Sequence, residues 1–307
     1  MCGIIGVRKF DNTDANEVVK KLYFGQKTRG KEGFGMINIQ TGAYFRAKYE
    51  HEILKMLKDN KGCEILFHHR NPTSTENTVE TAHPIPSGDN YDHKYYLLHN
   101  GIIRNCDALY DDHVKSYAIQ YTTKESWVDK DGKNFYQFND SESLLHELAL
   151  IIEGKKDAKD FKALGTIAFI LLQTTKDGDP KALYWGRNYG NPLKILLNER
   201  MMMLSSEGEG EDVDTHKLFK YDYADNKITK SDLDMFQVER SNMTTYGVNR
   251  TGIITPKTSI IQCHRGREIE EYLDHTYMYN SEDDIPMIDC LDLTPNRITE
   301  RQTNDLF

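Results

Sequence analysis

Apolar positions along the chain follow two rhythms: short β-branched or aromatic runs, and longer stretches with helical spacing. The runs lie at Gly3 to Val7, Gly35 to Ile39, Glu64 to Phe67, Tyr95 to Leu98, Thr166 to Leu172, Ala182 to Trp185, Leu193 to Leu197 and Met201 to Leu204. Their length and composition predict strands. Three stretches predict helices: Asn16 to Phe24, with Val18, Val19, Leu22 and Tyr23 on one face; Glu52 to Lys58; and Ser141 to Ile152. In the last, Leu144, Leu145, Leu148, Ile151 and Ile152 repeat with helical period, and Asp140 with Ser141 supplies the start signal. Strands paired into two sheets with helices outside would bury every apolar face, an α+β arrangement.

Two regions break this rhythm. Asp111 to Asn139 is polar and rich in tyrosine and charge, and reads as an inserted surface loop or hairpin. Past Gly208-Glu209-Gly210-Glu211-Asp212 the patterning weakens. The expected organisation is therefore a domain over 1–210, with an insertion near 111–139, and an extension over 211–307 that packs on the domain or completes it.

A chain of 307 residues can bury a large core. Its net charge of -9 is uneven, because 19 acidic and 11 basic residues fall between Glu211 and Phe307. Such an acidic surface repels nucleic acid and anionic lipid, so neither is expected as a partner. The longest apolar run, Leu164 to Leu172, is half a bilayer span. The order of the first residues, Ile4-Ile5-Gly6-Val7 and then Arg8-Lys9, is wrong for a signal peptide, so a cytoplasmic location is expected. Cys2, Cys63, Cys106, Cys263 and Cys290 are odd in number and widely spaced. They point to reduced thiols rather than to a disulfide framework or a zinc site.

Cys2 changes the picture most. Removal of Met1 would leave a thiol and a free amine on one residue, a nucleophile beside its own base. A cysteine at this position is also a small hydrophobe suited to opening a buried strand. Further motifs decide between these readings. They are Cys2-Gly3-Ile4-Ile5-Gly6, Arg29-Gly30-Lys31-Glu32-Gly33-Phe34-Gly35, His68-His69-Arg70-Asn71-Pro72-Thr73, Ala82-His83-Pro84, His99-Asn100-Gly101, Asp140-Ser141-Glu142 and Ser205-Ser206-Glu207.

In that order the motifs resemble the class II glutamine amidotransferases, a branch of the N-terminal-nucleophile (Ntn) hydrolases, over roughly the first two thirds of the chain. Two departures stand out: Glu32 replaces the more usual aspartate, and Asn71 stands where an aromatic is frequent. The resemblance implies a four-layer αββα sandwich of two mainly antiparallel sheets flanked by helices. It implies L-glutamine as substrate, no cofactor and no metal. Cys2 would be the nucleophile, with Asn100 and Gly101 forming the oxyanion hole through a side-chain amide and a backbone N–H. Arg70 has the planar fork that a substrate carboxylate needs, and Asp140 the charge that pairs with an α-ammonium. Asp140 also reads as a helix cap, and Asn-Gly as a common turn pair.

Thr73 and His83 sit on a loop, Asn71 to Asn90, that by resemblance closes over the substrate. Arg29 and Glu32 are expected to brace the site. His68 and His69 are better read as solvated or packing residues, pointing to opposite faces of a strand. Ammonia would pass to a separate synthase subunit, since the extension carries no glycine-rich phosphate loop. Two other readings stay open: an amidohydrolase acting on a γ-glutamyl or other amide, and a non-catalytic interaction protein derived from this fold.

Overall fold

The computed structural model describes residues 2–71, 79, 81–128, 134–236, 246–248 and 254–256. The chain begins β1 (Gly3–Lys9), α1 (Asn16–Gln26), β2 (Phe34–Asn38), β3 (Tyr44–Ala47), α2 (Glu50–Asp59) and β4 (Ile65–His69). It continues β5 (Ile85–Pro86), β6 (Lys94–His99), β7 (Ile102–Ile103), α3 (Cys106–Tyr117), β8 (Glu125–Val128), β9 (Asn134–Gln137) and α4 (Asp140–Ile152). Then come β10 (Gly165–Thr166), β11 (Ala168–Thr174), β12 (Pro180–Arg187), β13 (Lys194–Leu197), β14 (Met201–Ser205), β15 (Glu211–Asp212), β16 (Lys217–Asp222) and β17 (Lys227–Asp232). A second compact unit, from Glu239 onward, contains a hairpin of β18 (Tyr246–Val248) and β19 (Ile254–Pro256).

Two antiparallel sheets carry the first unit. One has seven strands in the order β15-β13-β14-β1-β4-β2-β3, the other six in the order β17-β16-β12-β11-β6-β5. Alternation along each strand assigns its two faces. Leu98, Ile170, Leu172 and Trp185 of the second sheet share a core with Ile4, Ile37, Leu66 and Leu204 of the first. Their strand neighbours Leu97, Phe169 and Leu171 face the other way, into a core with Leu144, Leu145 and Leu148 of α4. On the outer face of the first sheet Tyr23 of α1 packs edge-on against Phe67. Helix, sheet, sheet and helix are thus the four layers, as the strand and helix patterning implied. Each fully buried Leu, Ile or Phe side chain contributes on the order of 1.5–3 kcal/mol.

Several elements depart from the sequence reading. The region from Asp111 opens as the second half of α3, which packs on α4 with Leu109 and His113 buried, and only then becomes the β8–β9 hairpin. Its helical face is short and polar, so the apolar period is too weak to find. The weakly patterned stretch past Gly210 supplies strands to both sheets. There β16 buries only Leu218 and Tyr221, and β17 exposes nearly all its side chains, as an outermost strand does. The span from Ala82 to Pro86 is interior and ends in β5 rather than forming an open loop. Cys2 and Cys63 are free thiols, whereas Cys106 is disulfide-bonded, against the expectation of reduced thiols throughout.

Candidate active site

Strand pairing brings the motifs together. Antiparallel pairing sets Gly3 of β1 opposite His69 of β4, so Cys2 lies alongside the residues that follow β4. The Asn71 backbone N–H points at the Cys2 sulfur at 3.4 Å, and the thiol at the Asn71 carbonyl at 3.5 Å. On the far side of β4, Phe34 of β2 also pairs with His69. The Arg70 N–H accordingly donates to Gly33 O (2.8 Å) and the Glu32 N–H to Arg70 O (3.1 Å). A side chain at Gly30 would meet the Arg70 carbonyl 2.5 Å from its Cβ, so the turn can lie this close only with glycine there.

Arg29 locks the same corner. Its Nε donates to Cys2 O at 2.9 Å, and its Nη1 forms an ion pair with Glu207. The Ser206 hydroxyl accepts the Ile4 N–H at 3.1 Å, so the segment after β14 holds the start of β1 from the other flank. Gln26 of α1 adds a bond from its amide to Ile4 O.

The second sheet supplies the remaining residues. Asn100 directly follows β6; its N–H donates to Ala168 O (2.8 Å) and its carbonyl accepts the Ala168 N–H (3.1 Å). Its side-chain Nδ2 is buried with no hydrogen-bond partner. Gly101 lies where an added Cβ would fall 1.7 Å from Thr166 O, a position closed to any other residue. His99 Nε2 donates to the same carbonyl (3.2 Å), which leaves Nδ1 to accept from the Ser141 hydroxyl (2.9 Å). The cap of α4 is Asn139, whose Oδ1 accepts the Ser141 N–H at 2.9 Å. Asp140 is the first helical residue instead, and its Oδ2 accepts the Ile103 N–H at 2.6 Å. A carboxylate there also faces the positive end of the helix dipole.

Cys2, Arg70 and Asp140 are close enough that their charges act on one another, and Arg70 also feels Glu32. Burial pushes the Cys2 thiol above its ordinary value. The Asn71 N–H, the terminal charge and Arg70 pull it back, and Asp140 adds to the rise. A thiol so placed rests neutral and needs a base when it reacts.

Of the expected residues, Cys2, Arg70, Asp140, Arg29 and Glu32 converge on one corner, and Asn100 and Gly101 join it through the Ile103 bond to Asp140. His83 is buried, with Nδ1 3.0 Å from His68 Nε2 and its own Nε2 unpartnered among the described residues. Thr73 lies outside the described residues. His68 and His69 do point to opposite faces, one to His83 and the other to Tyr23 at a 4.8 Å ring separation, and both are packed rather than solvated. Glu207 and the Asn71 backbone carry contacts that motif reading assigned no role. No cluster of His, Cys, Asp and Glu among the described residues could hold a metal ion, and no helix there is long and apolar enough to cross a membrane.

Solved structures share this architecture. The glutamine phosphoribosylpyrophosphate amidotransferase from B. subtilis, complexed with ADP and GMP, superposes with a TM-score of 0.54 over 76% of this chain and 50% of its own, at 17% identity. An allosteric regulatory enzyme of purine biosynthesis does so at 0.56 over 82% and 55%, at 15% identity. No protein-family model matches the chain. In sequence it is 29% identical over 227 residues, 70% of its length, to a probable glutamine–fructose-6-phosphate aminotransferase (isomerizing) of Acanthamoeba polyphaga mimivirus. It is 28% identical over 215 residues to the glutamine–fructose-6-phosphate aminotransferase of Lactiplantibacillus plantarum. The aligned stretch spans about a third of those relatives, 34% and 32%. By motif order, fold and relatives the chain belongs to the class II glutamine amidotransferases.

Proposed function

We propose that this domain hydrolyses the side-chain amide of glutamine through a thioester on Cys2 and releases ammonia to an acceptor reaction on a partner protein. With Met1 removed, the Cys2 amine takes the thiol proton and the sulfur adds to the amide carbon. Negative charge on the former carbonyl oxygen is met by Asn100 Nδ2 and the Gly101 N–H. The protonated amine then gives its proton to the departing nitrogen, ammonia leaves, and water cleaves the thioester to glutamate. Arg70 takes the substrate carboxylate and Asp140 its ammonium, Arg29 and Glu32 brace the corner, and Thr73 and His83 complete the substrate side.

The observation that carries this reading is the buried, unpartnered Asn100 Nδ2. A buried amide donor left unsatisfied costs about 1–3 kcal/mol, a cost with a purpose if an oxyanion fills the position during reaction. The raised Cys2 thiol supports it too, since such a group requires the adjacent amine. The names of the relatives, aminotransferases from glutamine to a sugar phosphate, place ammonia release in the same chemistry. The test is glutamine turnover by the purified protein, with mass spectrometry of its N-terminus. Cys2→Ala should abolish hydrolysis while the fold survives; turnover within a few-fold of the parent, or a retained Met1 in an active sample, contradicts the assignment. Activity on a different γ-glutamyl amide but not on glutamine would keep the nucleophile and change the substrate.

A further inference from the structure

We infer that Asn191 is a positioning residue for the oxyanion-binding peptide, aiming and polarising the Gly101 N–H through the carbonyl of Asn100; this rests on the reading of Asn100 and Gly101 given above. The Asn100 carbonyl and the Gly101 N–H belong to one planar peptide unit, so whatever holds the oxygen also sets the direction of the N–H. That oxygen receives two donors, the Ala168 N–H at 3.1 Å and Asn191 Nδ2 at 2.7 Å, which occupy both its lone pairs. The first belongs to the ladder between β6 and β11. The second is an additional side-chain bond from a residue 91 positions away, 6% exposed. Two donors on one carbonyl fix the tilt of its plane and draw electron density toward oxygen, leaving the attached N–H a stronger donor.

The turn that carries Asn191 is built for rigidity. Asn188 Oδ1 accepts the Ile167 N–H and the Gly190 N–H, both at 3.0 Å, while its Nδ2 donates to Gly165 O at 2.9 Å. Gly190 presses on Thr166, whose side chain would lie 2.7 Å from an added Cβ. Thr166 O in turn crowds Gly101 and accepts from His99. The 188–191 turn and the 99–101 segment are therefore clamped around one residue, with Asn191 making the direct bond.

The sequence places Asn before Gly only at 100–101. Labelling asparagine carbonyls with carbon-13 and glycine nitrogens with nitrogen-15 thus leaves a single correlation, from this peptide. In Asn191→Leu, similar in size but without a donor, the Gly101 resonances should move upfield. The kcat for glutamine should fall about tenfold with KM changed less than about twofold, as when an interaction made in the transition state is weakened. Asn191→Asp, the same shape with an acceptor facing an acceptor, should lose at least as much and serves if the leucine variant does not fold. An unmoved correlation, an unchanged kcat, or a loss confined to KM or to melting temperature overturns the inference. A parent that does not hydrolyse glutamine at all would remove the functional reading beneath it, whereas the labelled peptide reports on the Asn191 bond in either case.

Discussion

Helix α4 serves two buried polar regions that differ in how completely they are satisfied. Toward α3 and the hairpin, Glu147 accepts from His113 Nε2 (3.0 Å), Lys156 Nζ (2.5 Å) and the Lys162 N–H (3.0 Å). Glu142 accepts from the backbone and hydroxyl groups of Thr122 and Thr123, with His146 Nε2 3.6 Å away. Burial alone would raise both carboxyls. Their donors outweigh it, His146 foremost for Glu142 and His113 for Glu147, and hold each below its ordinary value. At the other region, around the start of the helix, Asn100 Nδ2 and His83 Nε2 are buried and unpartnered. A network filled by the protein's own groups fastens elements together; one left open is shaped for something that arrives later.

The sharpest way to break the comparison is to remove an acceptor from the filled network. Glu147→Ala would leave Lys156 and His113 buried without their carboxylate, and the expected loss is about 3–5 kcal/mol of stability. Denaturant unfolding measures it, and kcat of the folded fraction should stay near the parent value. Asn100→Ala should do the reverse. Glutamine hydrolysis falls by about 10²–10³, roughly 3 kcal/mol in the transition state, while the melting temperature hardly moves because the lost Nδ2 had no partner in the resting protein. If Glu147→Ala inactivated without destabilising, or Asn100→Ala destabilised without inactivating, the contrast between the regions would be inverted.

A smaller effect comes from acid. Burial, aided by Lys27, lowers the His69 imidazole to about 3, and His68, His83 and His146 are lowered in the same direction, burial again the first cause. The unfolded chain binds these protons below about pH 6.5, whereas the folded one refuses them until much lower pH. Stability is therefore full above about 6.5 and declines as pH falls, by about 2 kcal/mol at pH 5 from His69 alone. Melting temperatures from pH 7 to 5 should show this slope, flattened in His69→Gln; an equal slope in that variant would mean the burial is not felt.

Much of the frame was legible because local chemistry repeats along it. The eight apolar runs became strands, and α4 was plain from its leucine spacing and its polar start. The cap, however, proved to be Asn139, one residue earlier than the aspartate that drew attention, which frees Asp140 to bond Ile103. Helix α3 and the edge strands β16 and β17 escaped because they bury too few side chains to leave a period. Glu207 stood in a motif without a stated role, and Asn191 had no motif at all; each acts through a contact with a residue 178 or 91 positions away.

What the sequence determined by itself was a set of residue types in order: a cysteine behind the initiator, an arginine after a buried strand, an Asn-Gly pair, an aspartate at a helix start. These are choices of chemistry, and side-chain chemistry is a local property. Only the tertiary structure decided which groups face one another, because pairing register and sheet stacking depend on burying both faces of both sheets at once. That is why Arg29 reaches the Cys2 carbonyl, why Thr166 admits only glycine at 101, and why the Asn100 amide is left without a partner.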